Sequence, residues 1–141
     1  MPVNESCLAG LLESYLLKLT RNGGFVVMKK FVKVMKALSD PNRVKILKML
    51  QYKNMCVCEM QEALGVAQPT VSKHLRILEE AGFVEYEKDG LWVNYLLAKD
   101  ADTPYVKSLL ENMRGWLENE PEIIRLKERL PMIRREDICN R

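Results

Sequence analysis

Residues 66–97 read VAQPTVSKHLRILEEAGFVEYEKDGLWVNYLL, and the periodicity of this stretch decides the fold. Val71, Leu75 and Leu78 recur at helical spacing and predict a core-facing stripe, while Ser72, Lys73 and Arg76 repeat on the opposite, polar and basic face. Upstream, CEMQEALGV is a short amphipathic helix closed by Gly65, and Gln68-Pro69-Thr70 opens the next helix after a tight turn. The spacing therefore predicts a helix-turn-helix whose second helix runs from about Gln68 to Ala81. Past Gly82, FVEYEKDGLWVNYL holds two β-favouring runs joined around Asp89-Gly90, a pair that tolerates the positive φ of a hairpin turn. Such a hairpin beside a helix-turn-helix is a wing. A helix pair with a hairpin also occurs as a plain core motif, but the agreement of polar face, turn and charged hairpin favours DNA reading.

Working outward, 141 residues suffice for one core with terminal helical extensions. Apolar residues at 48% and charged residues at 29% exclude a disordered tail. The expected fold class is mainly α with a β-hairpin wing, an α+β winged helix-turn-helix that dimerises through terminal helices. We divide the chain into an N-terminal helical extension (1–27), a winged helix-turn-helix domain with dimerisation helices (28–119), and a C-terminal helix and tail (120–141).

Leu8, Leu11, Leu12, Tyr15, Leu16 and Leu19 predict a first helix ending at Asn22-Gly23-Gly24. Phe31, Val34, Met35 and Leu38 line a second, and Ser39-Asp40-Pro41 supplies the cap and first turn of a third ending near Leu50. After Thr103-Pro104, Val106, Leu109, Leu110, Met113, Trp116 and Leu117 form a long stripe on a further helix. Ile46, Leu47, Leu50, Leu64, Val71, Leu75 and Leu78 already furnish a core, so this stripe and the helix near Phe31 are assigned to the partner in a homodimer. The competing arrangement folds the stripe back onto its own domain.

The net charge of +3 hides an uneven distribution, because Lys29, Lys30, Lys33, Lys36, Arg43, Lys45, Lys48 and Lys53 face only Asp40 between positions 29 and 53. Positive charge is thus expected beside the reading unit, although a solvated helix face is the plainer reading for most of these lysines. No apolar run approaches the ~20 residues needed to span a bilayer, and the broken apolar stretch between Glu5 and Glu13 does not resemble a signal peptide. A cytoplasmic, reducing setting with no membrane partner follows as the expectation. Cys7, Cys56, Cys58 and Cys139 are then thiols, ligands or redox groups more than structural disulfides.

Cys56-Val57-Cys58 opens the helix that precedes the reading helix, so a ligand held there acts directly on the DNA-reading pair. Two soft thiolates suit thiophilic ions, and a helix N-terminus lowers a thiol pKa. In regular helix, residues two apart diverge by about 200°, so gripping one ion requires a frayed or distorted first turn. For each cysteine the alternative is a small buried apolar residue.

Taken together, ALSDPNRVKILKML (37–50) and CVCEMQEALGVAQPTVSKHLRILEEAGFVEYEKDG (56–90) resemble the ArsR/SmtB family of metal- and metalloid-responsive winged-helix repressors, with Ser72-x-His74-Leu75-x-x-Leu78 a specific part of the likeness. The resemblance implies a homodimer that binds double-stranded operator DNA and releases it on effector binding, with no cofactor required. It puts Gln68, Thr70, Ser72, Lys73, His74 and Arg76 at or near DNA and Lys88 on the wing near phosphate. Elementary chemistry agrees for most of them: Gln68 suits an adenine edge, Ser72 a base or phosphate, and Lys73 and Arg76 backbone charge or guanine. His74 lies between the polar and apolar faces, where a packing role and a DNA contact are equally open.

The same resemblance makes Cys-Val-Cys followed by Glu59 and Met60 an arsenite- and antimonite-sensing signature, in which a third cysteine of some members is replaced here by Gln61. Cys139 and Cys7 are the other thiols that could supply a third ligand beside Cys56 and Cys58 in a metal site, from the same or the other subunit; a tail residue reaches more places, which favours Cys139. Cadmium, lead or a redox signal also suits thiolates. Zinc sensing on a terminal helix would need several histidines, and His74 is the sole one. An enzyme with a nucleophilic cysteine would need a base nearby, and His74 sits among groups better explained by DNA, so catalysis is not expected. A protein-interaction module that has lost DNA binding remains the rival from another class.

Overall fold

The computed structural model describes residues 24–139. The helix expected over residues 8–19 and the candidate ligand Cys7 lie outside the described residues. The chain divides into two compact units, Met1–Lys33 and Val34–Arg141. What is described of the first is the opening part of helix α1 (Gly24–Ala37), on which Met28 and Phe31 are exposed.

The second unit carries the rest. Helix α2 (Pro41–Tyr52) starts where Asp40, in extended conformation, accepts the N–H groups of Asn42 (2.8 Å) and Arg43 (3.2 Å), satisfying donors that the first turn leaves unpaired. Helix α3 (Val57–Leu64) ends on Gly65, whose φ of 69° is the left-handed cap geometry that glycine adopts without a Cβ penalty. After this turn, helix α4 (Gln68–Glu80) begins with Pro69 in its first turn, as the spacing predicts. Ile46, Leu47 and Leu50 from α2, and Val71, Leu75 and Leu78 from α4, form the core expected of them, with Leu64 half-buried at its edge.

Strands β1 (Val84–Asp89) and β2 (Trp92–Leu97) pair antiparallel from Val84↔Leu97 to Asp89↔Trp92. Gly90, at φ 61°, and the exposed Leu91 make the turn. A feature the periodicity does not announce is the backbone bridge of Met55 to Tyr95, with N···O distances of 3.1 and 2.8 Å, which stitches the entry to α3 onto β2.

Helix α5 (Pro104–Met113) is shorter than the apolar stripe that predicted it. Val106, Leu110 and Met113 join the core of their own chain, so this half of the stripe folds back and is not left for a partner. Trp116 and Leu117 lie past the helix end, half exposed, with Leu117 at a φ of 62°. The chain closes with α6 (Pro121–Arg129), a 3-10 turn (Leu130–Met132) and the four-residue helix α7 (Arg135–Ile138). Among the described residues, no helix is long and apolar enough to cross a membrane.

Candidate nucleic-acid interface and thiol site

Helix α4 projects Gln68, Thr70, Lys73 and Arg76 into solvent, with Ser72 half-buried beside them, and Lys88 is exposed on the wing. Among the described residues, no carboxylate or carbonyl engages Lys73, Arg76 or Lys88, so their charge is available to an external anion. His74 is different. It is 8% exposed, with Nδ1 3.4 Å from an Arg43 guanidinium nitrogen and Nε2 4.0 Å from Asp40. It joins α4 to the start of α2 and does not present its ring to solvent.

The basic cluster of α2 meets a fate that residue counting does not anticipate. Arg43 donates to the carbonyls of Ala37 (2.6 Å) and Lys36 (3.2 Å), closing the end of α1. Lys45 pairs with Glu122 at 2.7 Å. Lys48 is 1% exposed, and its ammonium donates to the carbonyls of Met113 (2.8 Å) and Trp116 (2.9 Å) and to Glu118, using all three donors. Hydrogen bonds from Lys127 and Lys48 hold the Glu118 carboxyl down to about 2. Lys53 donates to Glu59 at 3.0 Å and to the carbonyl of Ile133 at 2.6 Å. These four cations are engaged within the fold, whereas Lys73, Arg76 and Lys88 on α4 and the wing are exposed.

At the start of α3, Cys56 is the extended residue before the helix (φ −84°, ψ 168°), and Cys58 lies in its first turn. Because Cys56 stands outside the helix, which starts at Val57, the divergence of about 200° between two helical residues does not arise; the pair meets by the chain's extended entry and not by distortion within the helix. Cys139 follows α7 and donates its N–H to the Arg135 carbonyl at 2.8 Å. The fold brings Cys56, Cys58 and Cys139 together, with all three Sγ atoms within 4.8 Å of one another. This is a soft, three-sulfur donor set.

Two carboxylate-centred contacts missed in the sequence frame the site. Glu59 is buried and accepts the Cys56 N–H at 2.9 Å while holding Lys53; the spacing of Cys56 to Glu59 is that of a capping box, which could have revealed it. Arg135 reaches the wing, donating to Asp89 at 3.1 Å and to Asn94 at 3.4 Å, with its guanidinium 5.8 Å from the centre of the Trp92 ring. No local pattern predicts that contact. The helix-terminal lowering expected of the thiols also fails for Cys56. Burial, reinforced by the Glu59 carboxylate, pushes its thiol up, against the lowering effect of the hydrogen bond that the Glu59 backbone N–H donates to the sulfur. Burial, then the neighbouring Cys58 and Cys56, pushes Cys139 up to about 12.

The fold and its paired helix and hairpin define a winged helix-turn-helix protein. Residues 40–86 match the family described as bacterial regulatory protein, arsR family. An HTH-type transcriptional regulator of Methanocaldococcus jannaschii is 40% identical over 80 residues, covering 56% of this chain and 90% of that one. The arsenical resistance operon repressor of Escherichia coli is 33% identical over 95 residues, 67% of this chain and 81% of the relative. Among solved structures, the homodimeric winged helix-turn-helix DNA-binding domain of a possible ArsR-family regulator from Mycobacterium bovis aligns with a TM-score of 0.56 at 25% identity, covering 64% of this chain and 81% of that one. The chain belongs to the arsR family of DNA-binding transcriptional regulators.

Proposed function

We propose that this protein is a homodimeric repressor that binds double-stranded operator DNA through α4 and the wing and releases it when Cys56, Cys58 and Cys139 capture trivalent arsenic or antimony. The observation that carries the reading is the approach of the three sulfur atoms to within 4.8 Å of one another in a single chain. For a trihydroxo species the exchange balances as As(OH)3 plus three thiols giving a trithiolate and three waters, with no change of oxidation state. On the DNA side, Gln68, Thr70 and Ser72 are suited to base edges or phosphate, Arg76 and Lys73 to guanine or backbone, and Lys88 to phosphate. His74 is proposed to act behind this face, orienting α4 through Arg43 and Asp40.

Support for a dimer comes from exposed apolar side chains on α1, such as Met28 and Phe31, and from Trp116 and Leu117. In such an assembly two reading helices would meet half-sites about 34 to 36 Å apart or a multiple of that. Thiolate softness also admits cadmium or lead at the same residues.

Arsenite titrated into reduced protein on a fluorescent operator fragment tests the reading, with cadmium and zinc in parallel. Release by arsenite in the wild type, lost in Cys139→Ser and in Cys56→Ser/Cys58→Ser, is the expected result. Undiminished release by the Cys56→Ser/Cys58→Ser protein, or no release from the wild type by any thiophilic ion, overturns it.

A further inference from the structure

The wing is tied to the thiol site from two sides. Met55, the neighbour of Cys56, bridges β2 at Tyr95, and Arg135, on the turn that Cys139 closes, holds Asp89 and Asn94. We propose that Arg135 is a coupling residue that masks the Asp89 carboxylate at the wing tip, and that ligation of Cys139 withdraws it, so that the wing carries an uncovered negative charge to the DNA phosphates. This inference rests on the thiol-effector reading above and specifies how that site regulates DNA binding.

The mechanics follow from the lengths involved. Ile133 is buried and anchored through its carbonyl to Lys53 at 2.6 Å, and Arg134 is extended, so the chain has a fixed point followed by a pivot. Beyond the pivot lies a single turn, Arg135–Ile138, closed by the Cys139 N–H to Arg135 carbonyl bond. A turn this short moves as a unit, so drawing Cys139 into a bond with a centre shared by Cys56 and Cys58 also displaces the long Arg135 side chain. The contact to Asn94 is already stretched at 3.4 Å and the one to Asp89 is exposed, so a shift of a few tenths of an ångström suffices to weaken them.

The electrostatic consequence is local. Asp89 directly follows Lys88, the wing cation expected near phosphate, and lies beside the Gly90 turn at the hairpin tip. With Arg135 in place the tip is neutral or positive; without it, a carboxylate opposes the phosphates at close range.

The experiment measures operator affinity by fluorescence anisotropy for reduced wild type, Asp89→Asn and Arg135→Gln, with and without saturating sodium arsenite, while free-thiol titration reports site occupancy independently. Wild type should weaken by about 5- to 150-fold on arsenite, the usual span of allosteric coupling. Arg135→Gln should bind DNA without arsenite as weakly as the loaded wild type. Asp89→Asn should still consume its thiols yet lose less than about a third of the wild-type response in affinity only if the inference is wrong; the inference expects its response to fall below about twofold, well under the wild-type coupling. Full release by Asp89→Asn with its thiols occupied overturns the Arg135 coupling and leaves the thiol sensor standing. Absence of both thiol consumption and release in wild type overturns the sensor and the coupling together.

Discussion

Helices α2 and α4 carry similar cations in opposite circumstances. On α2 and just after it, Arg43, Lys45, Lys48 and Lys53 are each engaged by carbonyls or carboxylates of their own chain. On α4, Lys73 and Arg76 have no such partner among the described residues, and Lys88 on the wing is in the same position. The difference teaches that a run of basic residues does not locate a phosphate-binding surface; what the chain leaves unneutralised does. The α2 cations act as internal staples, and Lys73, Arg76 and Lys88 on α4 and the wing present their charge on the side of the reading unit.

Lys48→Ala tests the internal half of this contrast most severely. Removing the buried ammonium leaves the Met113 and Trp116 carbonyls without their shared donor, while Glu118 keeps Lys127, and a denaturant melt should record a loss of roughly 1 to 3 kcal/mol for each carbonyl. Unchanged stability would mean that the ammonium is dispensable there and the comparison would collapse.

Arg76→Ala should behave in the reverse manner. Stability should stay within about 0.5 kcal/mol, while operator affinity falls by about 1 to 3 kcal/mol and the salt dependence flattens. An Arg76→Ala protein that is unstable but binds normally would place this arginine with the α2 group.

The thiol site sharpens the comparison through its protons. The thiols of Cys56 and Cys139 are raised, chiefly by burial, so both carry protons when the site is empty. Cadmium must displace those protons, and its affinity should climb steeply between about pH 6 and 8. Arsenite capture exchanges thiol protons into water and consumes none from solution, so its affinity should stay nearly flat over the same range. Calorimetry in buffers of differing ionisation enthalpy checks both, and a flat cadmium profile would mean that the thiols are already ionised.

The smallest effect is expected at Asp40, which caps α2 and faces Arg43 and His74. Asp40→Ala should cost about 0.5 to 2 kcal/mol in a thermal or denaturant melt. A larger loss would assign the His74 and Arg43 contacts a greater share in orienting α4.

Local rules made the reading unit legible. Asp40-Pro41, Gly65, Pro69 and Gly90 act within a turn of where they stand, and the apolar spacing of α4 specifies its buried face whatever the chain does elsewhere. The same logic overreached at α5, where the stripe from Val106 to Leu117 suggested one long helix although the helix stops at Met113. Periodicity reports which residues seek burial and is silent on what buries them; Val106, Leu110 and Met113 found their own core.

By itself, then, the sequence determined the helix-turn-helix, the wing, the exposed Gln68, Thr70, Lys73 and Arg76, and the Cys56–Cys58 pair at the head of α3, because each depends on neighbours a few positions away. Only the tertiary structure decided that Cys139 joins that pair, that Lys48 is buried beneath the end of α5, that His74 turns inward, and that Arg135 holds the wing. Those contacts join segments distant along the chain, and whether such segments meet is set by how the complete core packs and not by any spacing that local periodicity can record.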